Sequence, residues 1–232
     1  STGSDPAALF APHELGDYTN VNQVLAFAKT CDVITFEHEL TPISVIREIE
    51  KNGIVVRPNS ESFQFSQNKS LMREKLAKFP GPKWQIIEKV EPLNYPVIAK
   101  SISGGYDGRG VWKINSEQEL LEILDRKLLI EEYIDGREFT VLVVGSGESG
   151  KTFAYHPVEY VFPDGKNYKT YALKTSELHV DANVSVKDSE LATEIINSGK
   201  KIFEGFGGGG YARLDFRTNQ NGDLCFLEIN FT

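Results

Sequence analysis

Residues 211–232, "YARLDFRTNQNGDLCFLEINFT", alternate apolar and polar side chains on both sides of an Asn-Gly pair. Alternation at a period of two around such a pair leaves little choice but an antiparallel hairpin. Asn221 and Gly222 predict a two-residue type I′ turn, which sets Gln220 opposite Asp223. The register that follows puts Asp215 opposite Glu228 and Arg213 opposite Asn230 on one face. On the other face Phe216 meets Leu227, Leu214 meets Ile229 and Ala212 meets Phe231. The apolar face pins this register, because a slip of one residue would bury the charges.

Two carboxylates directly opposed have Cβ atoms about 4.5–5.5 Å apart, and like charges there are destabilising. A solvated strand face with an arginine between the acids is one reading. A divalent cation is the other. Asp215, Glu228 and Asn230 together offer hard oxygen ligands of the kind Mg2+ takes. Arg213 beside them can stabilise negative charge on a transferring phosphate.

A second feature lies upstream. "SISGGYDGRGVW", residues 101–112, follows the strand-like "PVIAK". Gly104, Gly105 and Gly108, with Tyr106 among them, allow backbone N–H groups to turn toward oxygen anions. A lysine at a strand end, here Lys100, is ordinarily a snorkelling surface residue. Before such a loop it reads as a phosphate ligand beneath a lid. The loop fits neither the P-loop spacing nor the dinucleotide-binding fingerprint, and "VWKI" after it is strand-like, so it joins two strands.

The remaining segments fill in the architecture. "NVNQVLAFAKTC", "DVITFEH", "PISVIREIEKNG" and "IVVRP" read helix, strand, helix, strand, a small parallel α/β unit over residues 1–59. "SQNKSLMREKLAKFPGP" predicts one helix, "KWQIIEKV" a strand, and "NSEQELLEIL" a helix opened by a capping box at Ser116 and Glu119. "KLLIEEYI" and "REFTVLVVG", joined by Asp-Gly, predict a hairpin, and "KTFAYHPVEYVF" another strand. Leu191, Ile195, Gly199, Ile202 and Phe206 share one face of a long helix that ends at Gly205 and Gly207.

A net charge of −8 supplies no general attraction for nucleic acid. No run approaches the ~18 apolar residues of a membrane span, and no secretory signal is visible. Cys31 and Cys225, far apart and each in an apolar run, suit a reduced, cytoplasmic setting. The four histidines lack metal-ligand spacing, and no nucleophile motif supports Ser–His–Asp chemistry. The irregular lead-in and the stop inside strand-like "LEINFT" raise the expectation of a partial chain.

A lysine-bearing strand, a glycine loop between strands, "LLIEEYIDGREFTV" and then "ARLDF…LEIN", in that order, resemble the ATP-grasp family from about residue 60 onward. The resemblance implies an α+β fold in which two α+β subdomains enclose a nucleotide, residues 60–130 forming a small lid subdomain and 131–232 a truncated C-terminal one. The unit at 1–59 would be a partial α/β domain preceding it. By resemblance Glu131 accepts from the adenine amino group, and the segment through Glu132, Tyr133 and Ile134 reads the ring edge. Glu138 holds the ribose hydroxyls, Leu227 floors the adenine, and Lys69 and Lys100 bind phosphates. Asp215, Glu228 and Asn230 hold two Mg2+ ions, with Mn2+ as substitute, and Arg213 is catalytic. Without the family context Glu131, Glu132 and Glu138 read as an exposed strand face. Lys169 and Lys174 are further phosphate candidates, and the plainer reading of both is a solvated lysine.

"CDVITFEHELTP", "GGYDGRGVW" and "YHPVEYVFPDG" resemble the N5-carboxyaminoimidazole ribonucleotide synthetases, whereas "GREFTVLVVG" and the terminal hairpin resemble the D-alanine–D-alanine ligases. Both imply an ATP-dependent carboxylate–amine ligase working through an acyl phosphate, with ATP, a small carboxylate and a small amine as partners. A D-alanine–D-alanine ligase-like enzyme is the first expectation, with the ribonucleotide synthetase or a non-catalytic ATP-binding domain as alternatives. A homodimer stays open.

Overall fold

The computed structural model describes residues 10–104, 110–146, 150–163, 167 and 181–231. Gly105, Tyr106 and Gly108 of the glycine loop lie outside the described residues, as do Lys169 and Lys174. The first helix, α1 (Val21–Ala28), begins where the Asn20 side chain accepts from the N–H groups of Asn22 and Gln23. Then come β1 (Val33–Ile34), α2 (Ile43–Lys51) and β2 (Val55–Val56). β1 and β2 pair in parallel, as the helix–strand alternation requires. Val45, Ile46 and Ile49 form the buried stripe of α2.

The helix predicted across "SQNKSLMREKL" is two. α3 (Ser60–Gln67) and α4 (Lys69–Lys75) meet at Asn68, whose backbone is extended and whose side chain accepts from the N–H groups of Ser70 and Leu71. An asparagine favours just such a cap over a helix interior. Lys69 thereby becomes the first residue of a helix, and its N–H donates to the Ile102 carbonyl at the foot of the glycine loop.

A four-stranded antiparallel sheet follows, ordered β3 (Trp84–Ile87), β6 (Leu128–Glu132), β4 (Val97–Ser101), β5 (Val111–Ile114). α5 (Glu117–Ile123) covers it, opened by Ser116, which accepts from the Glu119 N–H. Glu119 answers by accepting from the Asn115 N–H at 2.8 Å, one residue before the cap. Leu120 joins Ile87, Val97, Ala99, Ile114, Leu128 and Ile130 in a separate core.

The larger sheet contains β7 (Glu138–Ser146), β8 (Thr152–Ala154), β9 (Val158–Tyr160), β10 (Asn183–Ser185), β11 (Gly209–Thr218) and β12 (Leu224–Asn230). Its order is β10-β9-β7-β11-β12, with β8 also paired to β7. The single strand expected over 151–162 is therefore two short ones. The long helix α6 (Ser189–Gly205) lies on this sheet, burying Ala192, Ile195, Gly199, Ile202 and Phe203. A Cβ on Gly199 would sit 3.0 Å from a Val141 methyl, so glycine lets helix and strand approach. This core is continuous with the N-terminal helices through Phe36, Ile46, Phe63 and Phe231.

β6 and β7 do not form the predicted hairpin. They belong to different sheets, and residues 133–137 cross between them. A Cβ on Gly136 would fall 2.0 Å from the Thr218 carbonyl oxygen. The Asp-Gly pair thus serves a close backbone approach, not a tight reversal.

The terminal hairpin forms with a different turn. Asn219 N–H donates to the Asp223 carbonyl, closing a loop of Gln220, Asn221 and Gly222, with Gly222 at φ +91°. Near the turn every partner moves by one residue, so Phe216 faces Phe226 and not Leu227. A bulge after Asp215 absorbs the difference. Beyond it Asp215 faces Glu228, Leu214 faces Ile229 and Arg213 faces Asn230, as expected.

Candidate functional site

β11 carries one wall of the site. Asp215 is buried, and its Oδ1 accepts from the hydroxyl of Thr140, the residue opposite it on β7. Its Oδ2 accepts from Arg213 at 3.2 Å. Glu228 and Asn230 are half-buried on β12, with Asn230 Nδ2 3.5 Å from Glu228 Oε1. Arg213 is exposed, and Asp215 holds its guanidinium above its ordinary value, with Glu228 and Glu39 adding to the effect. Two carboxylates, an amide oxygen and a fixed cation therefore share one strand pair. Among the described residues no three His, Cys, Asp or Glu side chains form a metal cluster. The donor set is the smaller one, two acids and an amide, that Mg2+ accepts when phosphate and water complete its shell.

The second wall is a chain of buried charge. Glu131 on β6 is 2% exposed; its Oε2 lies 2.8 Å from Lys100 Nζ on β4, and its Oε1 accepts from Arg73 Nε on α4. Burial by itself would push this carboxyl up; Lys100 and Arg73 outweigh it and hold it below the ordinary carboxylate range. Arg73 also donates to the Phe226 and Leu227 carbonyls, at the bulge on β12. One arginine thus joins the small sheet to the strand bearing Glu228. Both Glu131 oxygens are committed to cations, which is at odds with the expected adenine-amino acceptor. In this arrangement Glu131 sets the position of Lys100. Glu132 is exposed and accepts from the Lys83 N–H at 3.3 Å. Leu227 is half-buried at the bulge.

Glu138 opens β7 and is buried against Arg217, its cross-strand partner on β11. Arg217 Nε and a terminal N–H both reach Glu138 Oε2, at 3.0 and 2.8 Å. It also donates to the carbonyls of Ile134 and Asn167 at 2.9 and 2.7 Å. Tyr133 donates its hydroxyl to the same Asn167 carbonyl at 2.9 Å. Desolvation raises the Tyr133 phenol above its ordinary value. Gly104, at φ +75°, begins the glycine loop, and Ser101 N–H closes its base on the Gly110 carbonyl at 2.8 Å.

Lys100 is thus tied through Glu131 and Arg73 to the β12 carbonyl beside Glu228, Glu138 is tied through Arg217 to the 133–134 crossing, and Arg213, Asp215, Glu228 and Asn230 share one strand pair. The sequence profile of the D-ala D-ala ligase C-terminus family matches residues 66–232. The chain belongs to this family. The ribonucleotide synthetase preATP-grasp domain matches residues 1–67 of this ligase-family chain. N5-carboxyaminoimidazole ribonucleotide synthase of Mycobacterium leprae is 27% identical over 188 residues, covering 71% of this chain and 43% of that protein. The solved N5-carboxyaminoimidazole ribonucleotide synthetase of Thermotoga maritima superposes with a TM-score of 0.79 at 18% identity, over 97% of this chain and 58% of that one. The Aspergillus clavatus N5-carboxyaminoimidazole synthase, solved with ADP and 5-aminoimidazole ribonucleotide, gives 0.78 at 22% identity, over 98% and 61%. The fold is thus the ATP-grasp fold, and the chain spans about two-fifths to three-fifths of the length of these relatives.

Sequence reasoning passed over three side chains of this candidate site. Thr140 and Arg73 carry no local signal; their roles arise from contacts across 75 and 58 residues. Arg217 had one, since it continues the alternation of Arg213 and Asp215 on the same strand face.

Proposed function

We propose that this chain is the nucleotide-binding part of an ATP-dependent carboxylate–amine ligase of the N5-carboxyaminoimidazole ribonucleotide synthetase type. The observation that carries the reading is the register of β11 and β12, which opposes Asp215 to Glu228 beside Arg213, at a sheet junction that also presents Lys100. The similarity of 71% of the chain to ribonucleotide synthases favours bicarbonate as the carboxylate over D-alanine.

In this reading the adenine lies along the crossing from Glu132 to Ile134, over Leu227, and Glu138 accepts from the ribose hydroxyls. Lys69, Lys100 and the glycine loop from Gly104 hold the phosphates. Asp215, Glu228 and Asn230 would hold Mg2+, which when bound supplies charge neutralisation on the phosphate oxygens. A bicarbonate oxygen attacks the γ-phosphorus, ADP leaves, and carboxyphosphate forms. The amine of the ribonucleotide then displaces phosphate from the carbonyl carbon. Arg213, oriented by its bond to Asp215, stabilises the charge on the transferring group. The protein's contribution is positioning and charge compensation, with no covalent intermediate on the chain. Two free thiols fit a reducing, cytoplasmic setting.

The test is calorimetric binding of Mg·ATP to this chain, followed by phosphate release from the full-length protein. Release stimulated by bicarbonate plus aminoimidazole ribonucleotide supports the proposal. Stimulation by D-alanine with no response to bicarbonate would replace it with the D-alanine ligase reading. Nucleotide binding without any stimulated release would leave a non-catalytic domain.

A further inference from the structure

Arg217 is 4% exposed, charged, and has no part in the chemistry above. Four of its N–H bonds are directed at three separate segments. Nε and one terminal N–H converge on Glu138 Oε2, and the others take the carbonyls of Ile134 and Asn167. An end-on fork would have spread over both carboxylate oxygens. Convergence on one makes Oε2 the point at which Arg217 holds Glu138. The rings of Tyr133 and Phe162 lie 5.5 and 5.3 Å from the guanidinium carbon, within cation–π range. The guanidinium is therefore held by aromatic faces as well as by its acceptors. A plain stabilising ion pair would not need to reach the crossing at Ile134 as well.

We propose that Arg217 is a positioning residue for nucleotide selection: it presets Glu138 and the Ile134 carbonyl so that ribose hydroxyls are read by a carboxylate already in place. This rests on the reading of Glu138 as the ribose acid. A lysine could supply the charge but not the directed set of donors.

The experiment compares dissociation constants of Mg·ATP, Mg·2′,3′-dideoxy-ATP and Mg·tripolyphosphate by calorimetry for the parent, Glu138→Ala, Arg217→Met, Arg217→Lys and the double variant E138A/R217M. A hydrogen bond to a charged group predicts that the parent prefers ATP over the dideoxy analogue by roughly tenfold or more. The preference should collapse toward unity in Glu138→Ala and Arg217→Met alike, with no further loss in the double variant. Tripolyphosphate binding should stay within about twofold of the parent, since hydroxyl readout contributes nothing to it. Arg217→Lys should recover only part of the preference, and it reads the same ratio if Arg217→Met does not fold. Retention of the full preference in the folded Arg217 variants, with Glu138→Ala having lost it, overturns the proposal alone. A parent that does not bind Mg·ATP, or a Glu138→Ala variant that keeps the preference, overturns the nucleotide reading beneath it.

Discussion

Asp215 and Glu228 face each other across β11 and β12, with Arg213 bonded to Asp215. Glu228→Ala should abolish Mg-dependent ATP binding while changing unfolding free energy by less than about 1 kcal/mol, because it also relieves a like-charge pair. Calorimetry with and without Mg2+ checks the first half, and denaturant titration the second. Glu131 is the opposite case. Its removal strands Lys100 and Arg73 in the interior, so Glu131→Ala should cost about 3–5 kcal/mol in denaturant unfolding. The same carboxyl gives a pH dependence. Its folded value is depressed below the ordinary 4.5, so its contribution to stability is complete above about that pH. The contribution is lost as pH falls through the lower folded value, and Glu131→Gln should flatten that acid limb of a melting curve measured against pH.

Among the elements, the crossing from β6 to β7 and the β11–β12 hairpin position the site. Gly136 lies so close to Thr218 that Gly136→Ala must displace the crossing or the end of β11. The expected destabilisation is about 3 kcal/mol or more, with Glu138 moved off Arg217; circular dichroism melting and ATP affinity should fall together. Helix α6 is held at its start by Asp188, whose side chain accepts from the N–H groups of Glu190 and Leu191. Asp188→Ala should cost about 1 kcal/mol and leave nucleotide affinity unchanged, since no group of the site is on α6. The hairpin tolerates a three-residue loop because its bulge restores the pairing of the acids, and Arg73 holds the carbonyls at that bulge.

At the scale of the molecule the described residues form two cores, one under the large sheet and the N-terminal helices, the other under the small sheet and α5, linked by Arg73 through Glu131 and the β12 carbonyls. The candidate site draws on residues of both sheets, so occupancy should stabilise the whole chain. Mg·ATP at a hundred times its dissociation constant should add about 2.7 kcal/mol, visible as a raised melting midpoint that Glu228→Ala abolishes. Alternation of residue types determined the strands of the hairpin, the apolar stripe of α6 and the opposition of Asp215 to Glu228, because side-chain direction follows local period. Local period carries no information about which sheet a strand joins or which distant charge a buried side chain meets. The sheet junction between β6 and β7, the loop at Asn219, the pairing of Glu131 with Lys100 and Arg73, and the hold of Arg217 on Glu138 were therefore decided only by tertiary packing. There burial makes an unpaired charge too costly to leave, and close backbone contact overrides turn propensity.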